Sequence, residues 1–173
     1  MASKQHHYES LVRMYHKELY KFAYWLSGDP TIAEDLVQET FLRAWRALDS
    51  LKDENAAKPW LLTILRRENA RRFERKQFDY AEVEQDTLVD DTSSALDDAM
   101  EQTVVQRQIA NLAPEYREPL LLQVVMGCSG DEIADILELN KNTVMTRLYR
   151  ARNQLKDALM TEYEPIKGHQ TDG

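Results

Sequence analysis

Six cations, Arg66, Arg67, Arg71, Arg72, Arg75 and Lys76, fall within eleven residues and are offset only by Glu68 and Glu74. Trp60, Phe73, Phe78 and Tyr80 lie among and beside them. Cationic side chains track phosphates and aromatic rings stack on unpaired bases, so this mixture suits single-stranded or melted nucleic acid. On a helix these cations point around most of the circumference, so this stretch cannot be packed deep in a core. A solvated helix end is the plain alternative. A second polar group lies near the other end of the chain. Asn142, Met145, Thr146, Tyr149 and Asn153 cluster on one side of a helical projection, flanked by Arg150, with Val144, Leu148, Ala151, Leu155 and Leu159 opposite. Asn, Thr and Arg side chains can pair with base edges in a major groove.

Catalytic chemistry has little to stand on. His6, His7, His16 and His169 are scattered, and no Glu-x-x-His pair suits a di-metal carboxylate bundle. There is no phosphate-binding loop, no Gly-rich dinucleotide motif and no nucleophile signature. The single cysteine, Cys128, excludes a disulfide framework or a Cys-rich metal site and reads as a small buried residue. The expectation is a protein that is not an enzyme, with no metal, no cofactor and no small-molecule substrate.

The chain has 173 residues, 43% of them hydrophobic, with 22 Lys+Arg against 30 Asp+Glu and a net charge of −8. That balance alone argues against a nucleic-acid partner, but the charge is unevenly placed. Residues 1–77 carry +3, residues 78–106 carry −9 with no Lys or Arg, and residues 107–173 carry −2. The acidic stretch has no sustained apolar stripe and holds the small polar run Asp90-Asp91-Thr92-Ser93-Ser94. It is expected to be an extended, self-repelling linker over 79–98. The folded parts are then 1–78 and 99–160, followed by a tail over 161–173. No apolar run is long enough for a membrane span, and the polar start reads as no signal peptide, so a cytoplasmic protein is expected.

Helices position both polar groups, and only five Gly and five Pro favour an all-α fold. Tyr8, Leu11, Val12, Tyr15, Leu19, Phe22, Ala23 and Leu26 form one apolar stripe that stops at Gly28. Asp29-Pro30 caps a second helix running to Leu48. Its apolar side is Ala33, Val37, Thr40, Phe41, Ala44 and Leu48, with Trp45 at the edge, while Asp35, Gln38, Glu39 and Arg46 surround Leu42 on the other side. Leu42 is either a lone surface leucine or the centre of a protein-docking face. A third helix is expected from Pro59, burying Trp60, Leu61, Ile64 and Leu65. In the second part, Val104, Val105, Ile109 and Leu112 mark one helix, and Tyr116, Leu120, Leu121, Val124 and Val125 another that breaks at Gly127. Ser129 and Glu132 form a capping box for a short helix burying Ile133, Ala134, Ile136 and Leu137. Glu138-Leu139-Asn140 makes a turn before the last helix. A short helix, a turn and a longer helix with a polar outer face describe a helix-turn-helix, although its turn lacks the usual glycine. An ordinary helical hairpin is the alternative.

Two segments resemble one family. AEDLVQETFLRAW, Ala33 to Trp45, resembles the polymerase-docking helix of bacterial sigma factors. LAPEYREPLLLQVVMGCSGDEIADILELNKNTVMTRLYRARNQL resembles their promoter-reading C-terminal domain, and the two-domain layout resembles the extracytoplasmic-function group. The resemblance implies a non-catalytic promoter-specificity subunit that binds the β′ and β subunits of core RNA polymerase and promoter DNA. It implies a partner of another kind too, an anti-sigma factor that can be membrane-anchored. It places Asp35, Gln38, Glu39 and Leu42 on polymerase, and Trp60, Arg66, Arg67, Arg71, Arg72, Arg75 and Lys76 on the -10 element. It places Asn142, Met145, Thr146, Arg147, Tyr149 and Arg150 on the -35 element. Arg67 stands where family members often carry an Asn that selects a flipped base, and Met145 where they often carry Lys or Arg. A helix-turn-helix regulator that never docks to polymerase stays open beside this reading, but it would leave Leu42 and the Arg66–Lys76 segment unused.

Overall fold

The computed structural model describes residues 3–83 and 103–163, all of whose regular structure is helical. The chain divides into two units, residues 1–101 and 102–173.

In the first unit α1 spans Lys4–Ser27, with the Ser3 hydroxyl accepting the His6 N–H and Gly28 ending the helix in the left-handed conformation at φ 71°. The Gly28 N–H closes on the Tyr24 carbonyl at 2.7 Å, a C-terminal closure that glycine adopts without Cβ strain. α2 spans Pro30–Ala47, and the Asp29 carboxylate accepts the Thr31 and Ile32 N–H groups at 2.8 and 3.2 Å. Two short 3-10 turns, Leu48–Ser50 and Glu54–Ala56, lead into α3, Ala57–Val83. The helix therefore opens two residues before Pro59. A proline in the first turn loses no intrahelical bond, because those N–H groups have no partner anyway.

Leu19, Phe22, Ala23 and Leu26 of α1, Ala33, Leu36, Val37 and Ala44 of α2, and Leu61, Leu62 and Leu65 of α3 are buried. A smaller cluster of Leu11, Leu48 and Ala57 is flanked by Tyr8, Tyr15, Leu51 and Trp60. Trp60 and Ile64 are thus only part-buried, and Leu62 takes the core position that the stripe had assigned to them. α3 also runs to Val83, five residues into the stretch expected as linker; residues 84–98 lie outside the described residues.

In the second unit α4 spans Val104–Asn111, α5 Pro114–Val124, α6 Gly130–Leu137 and α7 Lys141–Tyr163. α7 extends three residues into the expected tail, and the rest of that tail lies outside the described residues. Ile109, Leu112, Leu120, Leu121, Leu122, Ile133, Ile136, Leu137, Val144, Leu148 and Ala151 form the core, with Cys128 buried beside Met126 in the loop before α6. Leu122 replaces Val124, which is 63% exposed, in the expected stripe of α5. Leu155 and Leu159 are only part-buried. The Arg117 guanidinium donates to the Ala110 and Leu112 carbonyls at 2.9 and 2.8 Å and so ties α5 to the end of α4. Burial pulls its pKa below the ordinary arginine value, with Glu118 opposing.

Candidate nucleic-acid and protein interfaces

α2 presents the first surface. Its stripe of alanines, Val37 and Phe41 faces α1 and α3, which turns Asp35, Gln38 and Leu42 to solvent and leaves Glu39 half-buried. Leu42 is 54% exposed. Trp45, expected at the edge of the apolar side, is 38% exposed, with Tyr8 edge-on at 5.1 Å and the Lys4 ammonium 4.5 Å from its ring. The face is therefore polar at its margins and apolar at Leu42 and Trp45, the composition of a protein contact.

The second surface lies on α3. Beyond Leu65, Glu68 is the only buried side chain described on the helix. Arg67, Arg71, Arg75 and Lys76 are exposed, Arg66 and Arg72 half-buried, and Phe73 and Phe78 are 50% and 64% exposed. At 3.6 residues per turn, Arg67, Arg71 and Phe78 project within about 20° of Trp60. Trp60 itself leans on the Leu11–Leu48–Ala57 cluster, so one edge of it is committed to packing. Arg67, Arg71 and Phe78 thus share one exposed face with the open edge of Trp60, a mixture of cations and rings.

A cleft lined by Asp35, Leu36 and Glu39 of α2 and by Glu68, Arg71, Arg72 and Arg75 of α3 joins these two surfaces. Sequence reasoning had counted Glu68 only as a charge offset. Nothing local marks it, because its α2 partner Arg43 lies on another helix.

The third surface is the start of α7. The Asn140 side chain accepts the Thr143 N–H at 2.8 Å, capping the helix as its residue type implied. Ser129 and Glu132 form the expected capping box on α6. Asn142, Met145, Thr146, Tyr149 and Arg150 are exposed, Arg147 is half-buried, and Tyr149 reaches 70% exposure. The missing glycine of the turn is answered by Glu138, which takes the left-handed conformation itself at φ 57° and ψ 45°. α7 faces a groove that also includes Tyr116 and Glu115 from the start of α5, and sequence reasoning missed both. Their place beside Asn142 and Arg147 comes from packing alone. Lys141 pairs with Asp131 across the turn at 3.3 Å. Among the described residues no group of His, Cys, Asp and Glu could hold a metal ion, and no helix is long and apolar enough to cross a membrane.

The family model of sigma-70 region 2 matches residues 11–79, and that of sigma-70 region 4 matches residues 102–155. The chain belongs to the sigma-70 family. The first match covers the α2 face and the α3 cations, and the second covers the capped turn and the exposed start of α7.

Among its relatives is the extracytoplasmic-function sigma factor SigE of Mycolicibacterium smegmatis, 31% identical over 88% of this chain and 61% of that protein, so the chain spans about three fifths of its length. SigC of Mycobacterium tuberculosis is 31% identical over 91% of this chain and 83% of its own length. SigW of Bacillus subtilis is 30% identical over 88% of both chains. Two solved structures are similar as well. The sigma factor RpoE, in complex with the anti-sigma factor NepR from Bartonella quintana, has a TM-score of 0.74 at 26% identity, over 88% of this chain and 96% of that one. CnrH, in complex with the cytosolic domain of CnrY, has a TM-score of 0.65 at 26% identity, over 91% and 90%. The relatives place the chain in the extracytoplasmic-function group, whose members are promoter-specificity subunits of RNA polymerase.

Proposed function

We propose that this sigma factor works through its three surfaces in a fixed division of labour. α2 docks on the β′ subunit of core RNA polymerase through Asp35, Gln38, Glu39 and Leu42. α3 melts and holds the -10 element with Arg66, Arg67, Arg71, Arg72, Arg75 and Lys76, and with the free edge of Trp60. α7 reads the -35 element with Asn142, Met145, Thr146, Arg147, Tyr149 and Arg150, its capped start directed at the major groove. The observation that carries this reading is the exposure of Leu42 on a helix whose Ala33, Leu36, Val37, Phe41 and Ala44 pack inward. Leu42 and the exposed Trp45 one turn on form an apolar patch rimmed by acids and an amide, the composition of a protein contact.

The protein acts without catalysis of its own, in the cytoplasm, where core polymerase and promoter DNA are found. Two folded domains joined by the acidic segment between α3 and α4 suit simultaneous contact with two separate promoter elements. Both similar solved structures are complexes, one with the anti-sigma factor NepR and one with the cytosolic domain of CnrY, and the first supports an anti-sigma factor here too, one that can be membrane-anchored. Run-off transcription with purified core polymerase tests the whole reading. The expected result is a promoter-directed transcript that depends on this protein and is lost with Leu42→Asp. No core binding and no transcript from any genomic template would overturn it.

A further inference from the structure

Glu68 is out of place on α3. It is the only charged residue among the described ones that is buried, at 6% exposure, on a helix that is otherwise solvent-washed past Leu65. Its carboxylate forms ion pairs with two guanidiniums from different surfaces: Arg43 of α2, and Arg71 of α3 at 2.9 Å. Arg43 in turn lies 3.4 Å from Glu39, which belongs to the proposed docking face. The four side chains form an alternating series, Glu39, Arg43, Glu68, Arg71, that starts where polymerase would bind and ends where a phosphate would bind.

A buried ion pair is an inefficient way to stabilise a helix contact, because desolvation offsets most of the attraction and an apolar residue of similar size packs as well. What the arrangement does provide is competition. Arg71 cannot give its full charge to a phosphate while Glu68 holds it, and Glu68 cannot hold Arg71 fully while Arg43 is turned toward it. Arg43 is itself shared with Glu39.

We propose that Glu68 is a positioning residue that couples docking to strand capture. With α2 free, Glu68 is shared between Arg43 and Arg71, and Glu39 holds part of the Arg43 charge from 3.4 Å. When a polymerase cation engages Glu39, Arg43 is left to Glu68, and Arg71 is released toward the DNA backbone. This rests on the division of labour proposed above for α2 and α3, and it adds a direction of control between them.

The test measures binding of a fluorescent single-stranded DNA of mixed sequence to the full chain, alone and with core polymerase, over a range of salt. Wild type should bind more tightly with polymerase than can be accounted for by polymerase alone. Glu68→Gln should raise the affinity of the free protein, steepen its salt dependence, and reduce the gain from polymerase at least about fivefold, the lower end of ordinary coupling between sites. Glu74→Gln removes the same charge from the exposed side of α3 and should leave that gain intact. Arg43→Gln cuts the series from the α2 side, leaves Glu68 wholly on Arg71, and should lower the affinity of the polymerase-bound form. These opposite signs separate coupling from loss of folding, which would depress both variants together. A wild-type gain that Glu68→Gln and Glu74→Gln reproduce equally overturns the role of Glu68 alone. A wild-type protein that binds neither polymerase nor DNA overturns the division of labour, and the coupling with it.

Discussion

Tyr8 meets Trp45 edge to face, with ring centroids 5.1 Å apart. The first turns of α1 therefore prop an indole at the end of α2, three residues beyond Leu42. The exposed apolar centre of the α2 face proposed for docking is a pair rather than a single leucine, and the first turns of α1 take part in shaping it.

Leu42→Asp should lower affinity for core polymerase at least tenfold, about 1.4 kcal/mol. The melting temperature should hold, because the residue is already half in water. Trp45→Ala should weaken docking as well, since tryptophan is over-represented among residues that dominate interfaces. Titration of labelled core polymerase, with thermal melts of each variant, checks both. Unchanged affinity for Leu42→Asp would remove it from the interface.

Replacing Arg71 and Arg72 together by Ala should slow promoter opening and flatten its salt dependence. Each lost single-strand phosphate contact should reduce the log–log slope by about 0.7. Permanganate footprinting at several salt concentrations reads both quantities. A slope equal to wild type would mean that these cations face solvent only.

Arg150→Ala should cost roughly 1–3 kcal/mol of -35 binding if its guanidinium reaches a base edge, and relax preference at one position. Selection from a randomised -35 library identifies that position. A uniform loss across all sequences would assign Arg150 to a phosphate instead.

The turn of the helix-turn-helix rests on Glu138 at positive φ, a conformation costing on the order of 1 kcal/mol or more for residues other than glycine. Glu138→Val, whose branched Cβ tolerates this region worst, should destabilise the C-terminal unit, and Glu138→Asn should be tolerated. Denaturant midpoints of the two variants give the comparison. Equal midpoints would show that the turn can relax around either residue.

The helix ends were legible because short-range chemistry sets them: Gly28, Asp29-Pro30, Ser129 and Asn140 each satisfy or release groups within three or four residues. The exposed faces of α2 and α7 were legible because Leu42, Met145 and Tyr149 interrupt the polar side of an amphipathic pattern. The last turns of α3 were not, since a helix solvated all round needs no stripe and periodicity cannot detect it. Leu122 was missed because Leu120, Leu121 and Leu122 are all buried, so α5 packs on several sides at once. Glu68 and Tyr116 were missed for another reason. What makes each of them matter is a neighbour supplied by a different helix.

All three tryptophans, Trp25, Trp45 and Trp60, belong to the first unit, and the single thiol, Cys128, is buried in the second. Each half of the molecule thus carries its own optical or chemical clock. Indole emission follows the first unit, alkylation of Cys128 follows the second, and the order in which the two come apart can be timed in the wild-type chain.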